Sequence, residues 1–385
     1  SPDLTTNDIS KQQSSGGPIT KDNTAVEYYC TIFAAAESPL EKDLIWTGSD
    51  DGLIHVTKDG GANWENVTPK DMPKWMQINS IEIDPKRKGG LYVAGTMYKS
   101  GDYKPYLYHT SNYGKSWDLI VTGIPDNHFT RVIRADRKRE GLLYAGTEFG
   151  MYVSFNDGGS WQPFQQNLPI VPITDLALKE DFLVVATQGR SMWIIDDLNP
   201  LYEMQESMAD AQYLFAPKQT IMMPSGDWGK SKTAGTNHPY GAIINYYLKE
   251  LDTANIDYQL VFKNEAGEAL RKFSSKPVNK QNKWTPKKGA NRFVWNYNTE
   301  GVDKVKGMIV WFSQGRGPKV LPGNYTVELI AGADTMSTDL VLLKDPNTSA
   351  SQEDLQAQYD FMMDVRNKLN EVNATIKDIR KVRGQ

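Results

Sequence analysis

Between Leu44 and Leu198, short apolar runs with the two-residue period of strands alternate with Gly, Asn and Asp clusters at nearly regular intervals. Residues 142–161, LLYAGTEFGMYVSFNDGGSW, carry the pattern in full. Leu142, Tyr144 and Gly146 open one strand, Met151 to Phe155 form a second, and Asn156-Asp157-Gly158-Gly159 turns the chain toward Trp161. Asn, Asp and Gly tolerate the positive φ that tight hairpin turns require, so this spacing predicts two strands and a turn into a third. Residues 44–64 repeat it, with Trp46, Gly48, Gly52 and Trp64 in the places of Tyr144, Gly146, Gly150 and Trp161. A middle copy at 91–117 has a longer loop, MYKSGDYKPY, and a shortened copy spans 182–198. One more strand precedes each copy: a buried one from Tyr28 to Ala36 and others at Ile78, Phe129 and Ile173.

Four strands per unit, repeating every few tens of residues, predict an all-β chain whose residues 1–200 form β-propeller blades. Four units are few to close a ring, and the polar lead SPDLTTNDISKQQSSGGPITKDN reads as the tail of a preceding repeat. The expectation is therefore the C-terminal part of a propeller, with further blades and any targeting signal upstream.

After Pro200 the pattern changes. Residues 201–212 read as a linker with a short helical look, and a polar stretch, SGDWGKSKTAGTNHPYG, follows at 225–241. Strand-like runs then resume at Ala242, Asp257, Ala269, Asn291 and Pro322, and 213–345 is read as one β-sandwich. Its PGNYTV at 322–327 resembles the last-strand entry of bacterial Ig-like modules. Finally, Ser351 and Asp354 make a capping box, after which Leu355, Met362, Leu369 and Ile376 recur every seven residues, with Val365, Val372 and Ile379 three beyond the later ones. That predicts an amphipathic helix over 351–383 whose stripe needs a partner: the sandwich, another subunit, or a helix outside this chain.

The most specific motif sits at the turn after the third strand of a unit. It reads Thr57, Asp59, Gly61 and Trp64 in the first unit, Thr110, Asn112, Gly114 and Trp117 in the second, and Ser154, Asn156, Gly158 and Trp161 in the third. These resemble the Asp-boxes of bacterial neuraminidase repeats, although two of the three carry Asn in place of Asp and so cap turn amides without charge. Turn capping accounts for every position, so the boxes are read as structural. Trp46, Trp64, Trp117, Trp161 and Trp193 are read as core between blades. The longer wording, GSDDGLIHVTKDGG, GLLYAGTEFGMYVS and VVATQGRSMWIIDDL, resembles sortilin-like bacterial propeller proteins that carry glycosyl-hydrolase labels. The resemblance spans residues 28 to about 200 and implies a secreted, periplasmic or cell-surface envelope protein.

Composition narrows the chemistry. The 385 residues are 39% apolar and 23% charged, with ten Trp and nineteen Tyr, a share that suits both β-rich folds and sugar-binding surfaces. A net charge of −4 with interspersed signs gives no basic footprint for nucleic acid, and no apolar run reaches membrane-spanning length. Cys30 is alone, so no internal disulfide forms, and it sits in an apolar stretch as packing. The four His show no metal-ligand spacing, and GGPIT and QGRGPK lack the strand and helix context of phosphate loops, so neither metal nor cofactor is expected.

Blade geometry puts the second-to-third-strand turns and the links between blades on the face opposite the boxes. That face collects Asp50, Asp51, Tyr98, Asp102, Tyr103, Lys104, Glu148 and Arg190, joined by Trp75 and His128 from the links. Rings stack on pyranose faces and carboxylates bind hydroxyls, so Asp51, Trp75, Tyr98, Asp102, Tyr103, His128 and Arg190 are candidate ligand contacts. Asp50 and Glu148 hold equivalent positions two blades apart and are the candidate catalytic pair, since glycoside hydrolysis needs two carboxylates about 5 to 9.5 Å apart. Ordinary turn chemistry also explains Asp50, Asp51 and Glu148, and Arg190 has Asp196 and Asp197 as nearby partners. Two functions follow: a binding or scaffolding protein using its propeller face for protein or glycan, or a glycoside hydrolase with one acid supplied from upstream.

Overall fold

The computed structural model describes residues 2–13, 28–207, 211–223, 238–309 and 315–384. The polar stretch at 225–241 lies mostly outside the described residues, as does GGPIT. The chain divides into two compact units, Ser1–Leu198 and Asn199–Gln385.

The first unit is a row of propeller blades. Blade 1 holds β1 (Ile32–Glu37), β2 (Ile45–Ser49), β3 (Ile54–Thr57) and β4 (Glu65–Asn66). Blade 2 holds β5 (Gln77–Ile83), β6 (Leu91–Met97), β7 (Asp102–Thr110) and β8 (Asp118–Leu119). Blade 3 holds β9 (Thr130–Ala135), β10 (Leu143–Thr147), β11 (Gly150–Ser154) and β12 (Gln162–Pro163). Blade 4 has three strands, β13 (Ile173–Lys179), β14 (Phe182–Thr187) and β15 (Met192–Ile195). Each blade is an antiparallel meander in chain order. The first strands pack in succession, β1 on β5, β5 on β9 and β9 on β13. Apolar side chains from adjacent blades fill the space between them: Trp46, Ile54 and Val56 of blade 1 meet Ile78, Leu91 and Val93 of blade 2, and Leu107 and Tyr92 of blade 2 meet Ile133, Leu143 and Trp161 of blade 3.

Several local expectations change. The strand predicted from Tyr28 to Ala36 begins at Ile32 and, although β5 packs beside it, is largely exposed, Ile32 and Phe33 included. Cys30 precedes that strand, in a left-handed conformation at φ +69°, with its Sγ against the Thr6 hydroxyl. The loop read at 97–106 is a short 3-10 turn, Tyr98–Ser100, followed by an extension of β7, so Asp102, Tyr103 and Lys104 lie in a strand. Asp102 pairs with Met97 across that hairpin and accepts from the Tyr106 hydroxyl at 2.6 Å, which fastens the extension. Trp46 and Trp161 are buried between blades, whereas Trp64 and Trp193 are only half-buried, each closing on a carbonyl of its own turn.

In the second unit, the segment read as a linker contains α1 (Asn199–Ser207) and runs into β16 (Gln212–Leu214). The further strands are β17 (Thr220–Ile221), β18 (Ala242–Leu248), β19 (Tyr258–Lys263), β20 (Ala269–Ser274), β21 (Gly289–Trp295), β22 (Gly323–Ala331) and β23 (Asp334–Leu343). One sheet has the order β16-β18-β21 and the other β17-β23-β22-β19-β20. Both contribute to one core, centred on Trp295, whose ring stacks on Phe262 of the other sheet at 4.2 Å. Strand β23 has no counterpart in the sequence reading: its Thr, Ser and Asp residues look like loop, but its outward positions are solvated while Leu340 and Leu342 fill the core. Helix α2 (Gln352–Val382) begins at Ser351, whose side chain accepts from the Asp354 amide while Asp354 accepts from the Ser351 amide, the predicted capping box. Among the described residues no helix is long and apolar enough to cross a membrane.

Candidate functional site

In an antiparallel meander successive turns fall at opposite ends of the strands, so the box turns and the Asp50 turn lie on opposite faces. The boxes repeat one hydrogen-bond network. In blade 3 the Gly158 amide donates to Ser154 Oγ at 2.9 Å, and the Ser160 amide donates to Asn156 Oδ1 at 2.9 Å. Blade 2 does the same with Gly114, Thr110, Ser116 and Asn112, and blade 1 with Gly61, Thr57, Asn63 and Asp59. Asn therefore replaces Asp without loss of a bond, since the carboxamide oxygen does the accepting.

The boxes of blades 2 and 3 also grip the blade before them. The Trp117 indole donates to the Val67 carbonyl at 2.8 Å and the Trp161 indole to the Ile120 carbonyl at 2.7 Å. The glycine of the same box presses on the same residue: a Cβ at Gly114 would lie 2.5 Å from Val67, and one at Gly158 2.5 Å from Ile120. Both glycines also have φ near +80°, so the position demands glycine twice over. Asp157 extends the grip, accepting from Tyr92 and pairing with Arg87 at 2.6 Å. These turns are clamps between blades, with their polar atoms committed.

The opposite face differs. A pocket of about 340 Å³ opens between blades 1 and 2, lined by Lys11, Tyr29, Asp50, Trp75, Gln77, Thr96, Met97, Lys99 and Ser100. Three elements build it. The Asp50-Asp51-Gly52 turn joins β2 to β3, and Gly52, at φ +94°, lies so close to the Met76 and Trp75 amides that a Cβ would meet them at 3.0 and 3.2 Å. The link into β5 holds Trp75 in a left-handed conformation, φ +67°, an uncommon backbone for a bulky side chain. Tyr29, before β1, stacks against Trp75 with centroids 6.0 Å apart, and the Lys11 ammonium lies 5.3 Å from the Trp75 ring.

The polar groups in this pocket are incompletely used. Asp50 accepts from the Thr31 amide at 2.8 Å, and burial pushes its carboxyl above the usual range, with neighbouring Asp51 adding to that. Burial also opposes ionisation of Asp51, but contacts with Ser49 and with the Thr6 hydroxyl and amide outweigh it and hold this carboxyl low. Its Oδ1 is nevertheless buried without a partner. So is the hydroxyl of Thr96, a residue only 4% exposed that lines the pocket. Burial moves the Tyr29 phenol up to about 12, and its hydroxyl donates to the Trp75 carbonyl at 3.5 Å.

Glu148 is not in this pocket. It accepts two bonds on one oxygen from Arg131, at 2.8 and 2.6 Å, and the guanidinium lies over the rings of Tyr98 and Phe129. Tyr98 stacks on Phe129 at 5.0 Å, and the Tyr103 ring is tilted against Phe129 at 6.2 Å. His128 accepts from or donates to the Tyr152 hydroxyl at 2.7 Å and packs on Phe149, while burial lowers its pKa. The sequence-predicted residues thus fall into separate groups: Asp50, Asp51 and Trp75 around the pocket, Tyr98, Tyr103 and Glu148 in an aromatic platform around Arg131, and His128 against Phe149 and Tyr152. Asp102 anchors the hairpin beside the platform, its carboxyl held low by the Tyr106 hydroxyl. Arg190 stands apart on an exposed turn, its guanidinium bonded to the Gly189 carbonyl.

Sequence reasoning missed Tyr29, Thr96, Lys99 and Arg131. Tyr29 was read into a strand, and Thr96 and Arg131 sit inside strands whose alternation marks them as ordinary. A signal existed for Tyr29, which holds in blade 1 the place before the first strand that Trp75 and His128 hold in the next two.

No family model matches this chain. The oligoxyloglucan-reducing end-specific xyloglucanase of Emericella nidulans is 30% identical over 87 residues, which make up 22% of this chain and 10% of that protein. Among solved structures, YCF48 bound to a D1 peptide is 20% identical with a TM-score of 0.34, over 43% of this chain and 52% of that one. The GH74 xyloglucanase from Xanthomonas campestris is 13% identical with a TM-score of 0.34, over 56% of this chain and 35% of that one. The chain spans a tenth of the curated relative and about half of the YCF48 chain.

Proposed function

We propose that the propeller unit is a carbohydrate-binding module, taking a neutral glycan of the xyloglucan type into the pocket between blades 1 and 2. One observation carries the reading: a stacked Tyr29–Trp75 pair borders a pocket into which Asp50 and Lys99 bring hydrogen-bonding capacity. Sugar rings offer an apolar face to aromatic rings and hydroxyls to such polar groups. The 87-residue likeness to a xyloglucanase supports the choice of glycan. Hydrolysis is the lesser reading. It requires a carboxylate pair, and Asp50 is the one carboxylate among the described residues lining the pocket, while Glu148 is neutralised by Arg131.

The finer affiliations belong to the same proposal. The box networks support the reading as Asp-box, sortilin-like repeats. The sandwich reads as Ig-like, on the strand order, the parallel pairing of β17 with β23, and the Tyr325 hydroxyl donating to the Leu321 carbonyl at 2.6 Å near the start of β22. A secreted, periplasmic or cell-surface envelope location follows from that resemblance.

Affinity electrophoresis of the 385-residue chain through gels containing xyloglucan or other polysaccharides tests the proposal. Retardation lost in Trp75→Ala is expected. Unretarded migration in every polysaccharide, or retardation indifferent to Trp75→Ala, would reject it. Reducing ends released by the wild type and abolished in Asp50→Ala would replace binding by hydrolysis.

A further inference from the structure

The second unit has a pocket of its own, and the stretch that builds it is charged unlike the rest of the chain. Residues 269–319 hold twelve Lys and Arg against two acids, Glu300 and Asp303, in a protein of net charge −4. Within that stretch a cavity of about 710 Å³ opens where β20, the edge strand of one sheet, meets β21, the edge strand of the other. Phe273 of β20 packs edge-on against Phe293 of β21 with centroids 4.8 Å apart, and both rings line the cavity. The chain after β21 forms the remaining wall, where the Thr299 amide donates to the Pro318 carbonyl at 2.8 Å and the Val302 amide to the Gly315 carbonyl at 2.9 Å.

Three cations, Arg271, Lys304 and Arg316, line this cavity, and among the described residues no carboxylate does. Arg271 is fixed in place: its guanidinium lies 4.7 Å from the Phe273 centroid, donates to the Gln281 carbonyl at 3.2 Å and pairs with Glu300 at 3.1 Å. Glu300 is occupied in turn, accepting from the Lys272 amide and, on both oxygens, from the Asn282 side chain, while its carbonyl accepts from Arg366 of α2 at 3.3 Å. That acid is spent on Arg271. Lys304 and Arg316 have no ion-pair or hydrogen-bond partner for their side chains among the described residues. The end of the Lys304 side chain lies beside Gly315, 3.6 Å from where a Cβ there would stand, and Arg316 is the next residue along.

We propose that this cavity binds an acidic sugar, the carboxylate of a uronic acid residue taken by Lys304 and Arg316 and the apolar face of its ring set against Phe273 and Phe293. Cations gathered in a concave, partly apolar site focus a positive potential that an anion relieves. A guanidinium offers a carboxylate two parallel bonds, and an ammonium beside it adds a point charge. Asn296 and Asn298 in the same lining suit the hydroxyls of a sugar. An acidic peptide would use the cations and leave the rings and carboxamides idle. The site is independent of the neutral-glycan pocket on the propeller.

Titration calorimetry of the full chain with a galacturonic acid oligosaccharide at low ionic strength tests this. The wild type should bind, with affinity falling as salt is added. Lys304→Gln/Arg316→Gln, with an unchanged circular dichroism spectrum, should weaken binding about tenfold or more. Lys283→Gln/Lys287→Gln removes the same charge from exposed positions of the same stretch outside the cavity and should weaken it less than about threefold. Trp75→Ala should leave it unchanged. No binding by the wild type, equal weakening by the two double variants, loss in Trp75→Ala, or equally tight binding of a glutamate oligopeptide would overturn the proposal.

Discussion

The two faces of the propeller unit are built from the same residue types and treat them oppositely. On the box face, Ser154, Asn156, Trp161 and Asp157 have their polar atoms bonded, to their own turn or to the preceding blade. On the other face, Asp51 and Thr96 keep buried oxygens without partners, and Tyr103 and Phe149 are exposed rings. A buried polar atom left unsatisfied costs stability that a bonded one does not, so the difference marks the box turns as positions kept for holding blades together.

The sharpest way to break that comparison is Trp161→Ala. It removes a buried ring and its bond to blade 2, and should lower the unfolding free energy by about 3–5 kcal/mol in urea titration while leaving glycan affinity in the surviving folded fraction unchanged. A loss below about 1 kcal/mol would mean that the boxes do not clamp the blades. Trp75→Ala should do the reverse: affinity for xyloglucan oligosaccharides falls tenfold or more by calorimetric titration, about 1.4 kcal/mol, with a smaller stability change. A smaller but more telling pair is Asn156→Ala and Thr96→Val. The first orphans turn amides and should cost about 1 kcal/mol, whereas the second removes a hydroxyl that has no partner and should be neutral or stabilising by up to about 1 kcal/mol.

The smallest effects are in pH dependence. Asp50 has its folded carboxyl pKa raised above the usual 3.8, so the stability it leaves intact in acid is lost as pH rises through that folded value. Asp50→Asn should therefore be stabilising at neutral pH and indifferent in acid. Asp51 is lowered, so its contribution is present above 3.8 and lost as pH falls through its folded value. Asp51→Asn should be destabilising at neutral pH, and the difference should vanish in acid. Urea midpoints followed from neutral to acid pH check both, and equal pH slopes for the two variants would remove the electrostatic distinction between these neighbours.

How legible these features were depended on their range. The box turns could be read because every partner within the turn lies within four residues, as Ser154 to Gly158 and Asn156 to Ser160 do. Their second role could not: the Val67 carbonyl is 50 residues from Trp117, and Ile120 is 41 from Trp161. Asp50 and Glu148 look equivalent in the repeat. The fold gives one a pocket with Tyr29 and Trp75 and the other a salt bridge to Arg131.

By itself the sequence determined the blade strands, their meander order, the glycine turns and the capped heptad helix, because period, turn chemistry and capping act between residues a few positions apart. Tertiary structure alone decided which polar atoms remain unbonded, which carboxylate is desolvated, and which face of α2 is spent on the sandwich. Those depend on neighbours tens of residues away, where burial and hydrogen bonding are settled only once the blades and sheets have packed.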